Sequence, residues 1–302
     1  MIFNSYNSLF SLIIDEEKAL IFALEFNLIK RNRICECNTN LIWSKDVRQK
    51  LGYRFRCSNN LCKKTYLILH GTWFYKAKLS LQDQILMIYC YCMEMSPLQL
   101  TGMFGLGSGH TSSDWNNYFR DVCAIHLLEM PQQKIGGNEL IVEIDKTKIF
   151  KNKNNVGRLT REQETCEWVF GGICRETKET FFTLVQDRKR NTLMQLIENN
   201  VNPGTHIISD SWRSYWHIEE LGYRHSMINH FKNFIDEMDN TIHTQTIERT
   251  WKGLKENIPK ASRYSSRSSY IIQYGFKKKT GWYNMNSGER FSLLLNLIAL
   301  YY

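Results

Sequence analysis

Residues 139–145 (Glu-Leu-Ile-Val-Glu-Ile-Asp) read as a buried strand that ends on an acid, and the pattern behind it constrains the fold more than any other stretch of the chain. Trp168–Cys174 and Thr180–Val185 flank the polar turn Arg-Glu-Thr-Lys-Glu and are predicted to pair as a hairpin. Helical and strand patterns then alternate. Residues 191–200 read as helix, 206–210 as a short apolar strand that again ends on an acid, 211–221 as helix and 225–229 as strand. Residues 244–257 form a last helix, with Ile247, Trp251 and Leu254 on its apolar side and Pro259 as its stop. A strand, a hairpin and then alternating helices and strands specify an α/β layer built on a mixed sheet with flanking helices.

The rest of the 302 residues is organised differently. Residues 1–30 are read as a region with one amphipathic helix over 10–28, interrupted by Asp15, Glu16, Glu17 and Glu25. Residues 31–79 form a small Cys-bearing module in which 53–57 alternate as a half-exposed strand does. Residues 80–130 are helical, with a Gly-rich break at 105–109; residues 138–260 hold the α/β layer. A basic extension, 261–302, begins with a Ser-rich loop at 262–269.

The net charge of +9 points to a polyanionic partner, because Lys and Arg that neutralise phosphates release condensed counterions. The charge is concentrated: residues 30–78 hold twelve basic residues against Glu36 and Asp46, and residues 249–290 hold ten against Glu256 and Glu289. Double-stranded DNA is the partner this favours, although each run alone equally suits a solvated face. Nine cysteines, an odd number scattered along the chain, argue against a secreted disulfide framework and for a reducing intracellular compartment. No uncharged apolar run is long enough to span a membrane.

Asp145 and Asp210 each close a strand, and Glu248 lies on a later helix. Acids at the C-terminal ends of neighbouring strands project into one crevice, and a third from a packed helix completes an oxygen cage. Two Mg²⁺ (or Mn²⁺) ions in such a cage activate the attacking oxygen and stabilise the leaving one at a phosphodiester. Other roles remain open from spacing alone. Asp210, before Ser211-Trp212, suits a helix cap, and Glu248 an ion pair with Lys252.

Longer motifs narrow this. Glu143-Ile144-Asp145 with basic residues behind it, Trp168-Val-Phe-Gly-Gly-Ile173, Ile207-Ile-Ser-Asp-Ser-Trp212 with Tyr215, Gly222-Tyr223, Asn229-His230 and His243-Thr-Gln-Thr-Ile-Glu-Arg-Thr-Trp251 with Lys255 together resemble the catalytic core of the Merlin superfamily of DDE transposases. The wider relatives are insertion-sequence transposases of the ISXO2-like kind, and the resemblance covers roughly residues 139–259. It implies a ribonuclease-H-like fold, metal ligation by Asp145, Asp210 and Glu248, and cleavage and joining of DNA at transposon terminal inverted repeats by a homo-oligomer on paired ends. One departure is Lys146, where the resemblance leads to an acid such as Glu. Lys148, Lys151, Lys153 and Arg158 suit a loop gripping the DNA backbone, as Lys252 and Lys255 do on the side of the last helix that carries Glu248. Asn229, His230 and His243 are candidates to orient a carboxylate or touch phosphate.

Cys35, Cys37, Cys57 and Cys62 bracket the basic strand, and four thiolates from two turns suit a tetrahedral Zn²⁺. The N-terminal part of many relatives looks like a zinc ribbon; the spacings of one and four residues here also admit an eroded ribbon or unrelated thiols. Residues 97–123 resemble the family's helix-turn-helix, with 108–118 as recognition helix. Ser112, Ser113, Asn116 and Asn117 are then candidates for base edges and Arg120 for a phosphate. The function implied is that of a DNA transposase, nuclear in a eukaryote and cytoplasmic otherwise. Two rivals stand beside it: a non-catalytic DNA-binding protein derived from one, and a general nuclease of the same fold.

Overall fold

The computed structural model describes residues 5–107, 109–149, 168–228, 239, 241–259 and 264–302, with the side chains of 264–266 excepted. The chain divides into two compact units, Met1–His126 with Trp282–Tyr302, and Leu127–Gly281.

In the first unit, α1 (Tyr6–Leu12) and α2 (Glu16–Glu25) replace the single helix expected over 10–28. Asp15 causes the break: its backbone is extended and its carboxylate accepts the Lys18 N–H at 2.8 Å, which starts a new helix rather than continuing the old one. An antiparallel sheet follows in the order β1 (Arg33–Ile34), β2 (Asn40–Lys45), β3 (Tyr53–Cys57), β4 (Thr65–Leu67). The helices α3 (Leu81–Cys92), α4 (Pro97–Met103), α5 (Gly109–Glu129) and α9 (Ser287–Tyr301) complete this part of the chain. α3 is buried along almost its whole length, and its Tyr89 meets Phe291 of α9 edge to face at 5.3 Å.

The second unit is the mixed α/β layer that the sequence pattern specifies. Its five-stranded sheet runs β7 (Thr180–Val185), β6 (Trp168–Cys174), β5 (Ile141–Lys148), β8 (His206–Asp210), β9 (Arg224–Ile228). The β6–β7 hairpin has the expected ends and lies antiparallel to β5, whereas β8 and β9 run parallel to β5. Side chains alternate across the sheet. Val142, Ile144, Phe170 and Ile207 pack on one face with Leu193 and Ile197 of α6 (Arg190–Asn200) and with Tyr215. Val169 and Ile173 pack on the other with Ile247, Trp251 and Leu254 of α7 (Gln245–Asn257) and Tyr274 of α8 (Tyr264–Lys279).

Two local expectations differ. The helix expected over 211–221 is a pair of 3₁₀ turns, Arg213–Tyr215 and Ile218–Leu221, separated by His217 at φ 67°. The Ser-rich stretch expected as a loop lies mostly at the start of α8, and the basic extension is shared between α8 in the second unit and α9 in the first.

Candidate functional site

Along β5 the alternation that buries Val142 and Ile144 turns Glu143 and Asp145 to the α7 face. There the indole Nε1 of Trp251 donates to Asp145 Oδ2 at 2.9 Å. Gly171 stands opposite Asp145 in the β5–β6 ladder, and a Cβ on it would come within 2.8 Å of the Trp251 ring and 2.5 Å of the Phe181 carbonyl oxygen. A residue without a side chain is therefore what lets the indole reach the carboxylate. Burial pushes the Asp145 carboxyl up to about 6; the Lys146 charge opposes the rise and Asp210 adds to it.

α7 packs Ile247, Trp251 and Leu254 inward and leaves Glu248, Lys252 and Lys255 exposed. Asp145, Thr147, Glu248, Trp251, Lys252 and Lys255, with the end of α7, line an open cleft of about 800 Å³. Two of the three acids thus share one cavity with both lysines of the helix.

Asp210 is placed differently. It and Asp145 stand two residues beyond Ile208 and Glu143, the last paired positions of the parallel β5–β8 ladder. Its Oδ2 accepts from Lys146 Nζ at 2.7 Å and its Oδ1 from the Trp212 N–H at 3.2 Å, and it does not line the cleft. The Lys146 side chain is 7% exposed, its Nζ 4.8 Å from the Trp212 ring centroid and 5.1 Å from that of Tyr215.

Glu143 is fully buried and joins β5 to the start of α7. Arg175 Nε donates to its Oε1 at 2.6 Å, and the Ile247 N–H, in the first turn of α7, donates to its Oε2 at 2.8 Å. Arg175 also donates to the His243 carbonyl at 2.6 Å, and the His243 ring lies 3.5 Å from Glu143. His243 therefore belongs to the Glu143–Arg175 pair and not to Asp145. Sequence reasoning missed Arg175, which sits in what reads as a polar turn; the available signal was Glu143, an acid at an inward strand position that burial obliges to find a cation. Lys148 is half-buried at the end of β5, outside the cleft. Lys151, Lys153, Arg158, Asn229 and His230 lie outside the described residues.

In the first unit, Cys35, Cys37, Cys57 and Cys62 bring their sulfurs within 4.8 Å of one another, the one such group of metal-ligating side chains among the described residues. The Cys35–Cys62 and Cys37–Cys57 separations are 3.7 and 3.4 Å. Tetrahedral zinc with Zn–S near 2.3 Å requires sulfur–sulfur edges of about 3.8 Å, so the cluster is compatible with structural zinc. The Asn59 N–H points at Cys57 Sγ from 3.4 Å, the kind of donor that steadies a thiolate.

The helical segment corrects two expectations. Ser112 and Arg120 are buried, so neither is presented to a DNA surface. They lie on the inward face of α5 with Trp115, Phe119 and Cys123; Ser112 Oγ donates to the Gly109 carbonyl at 3.0 Å, and Arg120 bonds Asn117. Ser113 and Asn117 are exposed and Asn116 half-buried; residue 108 is not described. No helix among the described residues is long and apolar enough to cross a membrane.

Residues 135–275, which fall within the second unit, match the family model of the ISXO2-like transposase domain. No curated protein matches the chain. Among solved structures, the chain is similar to one in the cryo-electron-microscopy structure of the simian T-cell lymphotropic virus intasome in complex with PP2A regulatory subunit B56 gamma. Identity there is 18%, over 58% of this chain and 67% of that one, with a TM-score of 0.28. A second similarity is to the crystal structure of the Mos1 strand transfer complex, at 9% identity over 66% of this chain and 76% of that one, TM-score 0.20.

Proposed function

We propose that the chain is a DDE transposase of the Merlin superfamily, with a ribonuclease-H-like core whose three catalytic acids are Asp145, Asp210 and Glu248. It cuts the terminal inverted repeats of a mobile element and joins the freed 3′ hydroxyl to target DNA. One observation carries this reading: inside the segment that matches the transposase domain, Asp145 of the central strand and Glu248 of α7 face a cleft that also holds Lys252 and Lys255. Acids suited to divalent ions and lysines suited to phosphates share one open cavity, which is what hydrolysis and transfer at a phosphodiester require.

The carboxylate oxygens of Asp145 and Glu248 are hard donors in a solvent-open cleft, a set that fits Mg²⁺ or Mn²⁺. Such an ion, when bound, supplies positive charge at the scissile phosphate and lowers the pKa of the attacking oxygen. The rest is done by the chain. Trp251 fixes Asp145, Glu143 anchors the start of the helix that presents Glu248, and Lys252 and Lys255 hold the DNA backbone. The cysteine cluster binds structural zinc, and the protein acts as a homo-oligomer on paired DNA ends, in the nucleus of a eukaryote or the cytoplasm of a bacterium.

A duplex carrying the inverted repeats that flank the gene tests this. Mg²⁺-dependent nicking and strand transfer are expected, both abolished in Asp145→Asn and Glu248→Gln with DNA binding retained. The Lys146–Asp210 ion pair favours a second reading, a non-catalytic DNA-binding protein derived from a transposase. Specific binding with no cleavage in either Mg²⁺ or Mn²⁺ would select it, and cutting without sequence preference or joining would select a general nuclease.

A further inference from the structure

We propose that the Lys146 ammonium takes the place of one of the two divalent ions that a three-acid site ordinarily holds, so that this site binds a single divalent ion through Asp145 and Glu248. The inference rests on the transposase reading above and specifies the cation content of that same site.

Three observations carry it. Lys146 Nζ sits 2.7 Å from Asp210 Oδ2, at the distance of a charge-assisted hydrogen bond, so Asp210 already has a cation. The lysine is built in rather than draped over the surface: it is 7% exposed and its ammonium lies against the rings of Trp212 and Tyr215. Strand alternation sends its stem to the Val142–Ile144 face, opposite to Asp145, and the Asp210 carboxylate that it holds is not among the groups lining the cleft of Asp145 and Glu248.

The charges agree with the geometry. Three carboxylates and one ammonium sum to −2, the complement of one divalent ion. With an acid at position 146 the sum would be −4, the complement of two. A second divalent ion at Asp210 would have to lie beside a desolvated ammonium, and like charges at that range repel strongly in a partly buried setting.

The test counts Mn²⁺ on the full chain by electron paramagnetic resonance and titration calorimetry, taking as site-bound the ions lost in the double variant Asp145→Asn/Glu248→Gln. The wild type is expected to bind one such ion per chain, without the signal broadening of a coupled pair. Lys146→Glu is expected to bind two, with that broadening. Lys146→Met keeps the aliphatic stem against the two rings and is expected to gain the second ion also, which covers a failure of Lys146→Glu to fold. Two ions on the wild type, or one on a folded Lys146→Met, overturns the proposal while leaving the transposase reading in place. No ion on any of these chains sinks both.

Discussion

Asp145 holds its carboxylate in a place that favours the neutral acid. In the unfolded chain it titrates near 3.8, and in the folded one burial moves it up to about 6. Between those values the folded state keeps a proton that the unfolded state has lost, so stability falls as pH rises through the window, by about 3 kcal/mol in all. Asp145→Asn removes that charge and keeps an acceptor for the Trp251 indole. In metal-free buffer the variant is expected to be more stable than wild type by about 3 kcal/mol at pH 7.5, with the gap closing towards pH 4. Urea unfolding at the two pH values measures this, and a gap that does not depend on pH contradicts it. That Asp145 lies on a strand was readable from the apolar run before it; that the strand runs on past the acid to Lys148, paired with β6, was not. The indole donor was not, because Trp251 sits at a packing position of α7 and does both jobs. Lys146 stood out in the sequence only as a departure; where its ammonium goes depends on Trp212 and Tyr215, sixty-odd residues on, which no local pattern shows.

Among the elements, α7 depends on a group outside itself. Thr244 precedes it with no side-chain cap, and the Ile247 N–H is satisfied by Glu143 from the central strand. Glu143 is in turn neutralised by Arg175. Removing one partner of such a buried pair leaves an uncompensated charge, so Glu143→Gln is expected to destabilise by about 3 kcal/mol. The double variant Glu143→Gln/Arg175→Met should cost less than the sum of its single changes, a coupling that a cycle of chemical denaturations measures; strict additivity would mean that the pair does not hold α7. Strong local patterns made the β6–β7 hairpin legible to its end residues. They failed where tertiary packing decides. The serines opening α8 read as a loop, yet that helix is held by Tyr274, which lies 5.5 Å from the Phe182 ring and donates to the Thr250 carbonyl at 3.1 Å. The stretch after Asp210 carries a helical period, but the left-handed turn at His217 splits it.

The molecule as a whole combines a small sheet with a thin core, a helical segment and an α/β layer, and these differ in what holds them. Few apolar residues are buried under β2 and β3, chiefly Leu41 and Phe55, so the four cysteines should supply much of that sheet's stability through zinc. Cys57→Ser is expected to lose the one bound Zn²⁺ and the slow amide exchange of β2 and β3, while β5 and α7 keep theirs. Equal loss in both places, or none, would count against a zinc-held sheet. Charge is the other property that belongs to the chain as a whole. The net +9 gives any DNA complex a steep salt dependence, and each phosphate neutralised contributes about 0.9 to the slope of log affinity against log salt. Lys252 and Lys255 face the cleft beside Glu248, so on specific and random duplexes alike, replacing either by Ala should reduce that slope by about 1. Asn117 is exposed on α5, so Asn117→Ala should alter preference between sequences and leave the slope alone. Ser112 is buried, so Ser112→Ala should change neither. Fluorescence anisotropy across a salt series separates the three behaviours. A slope unmoved by both lysine substitutions would put the cleft off the path of the DNA, since a phosphate contact cannot be lost without its counterions returning.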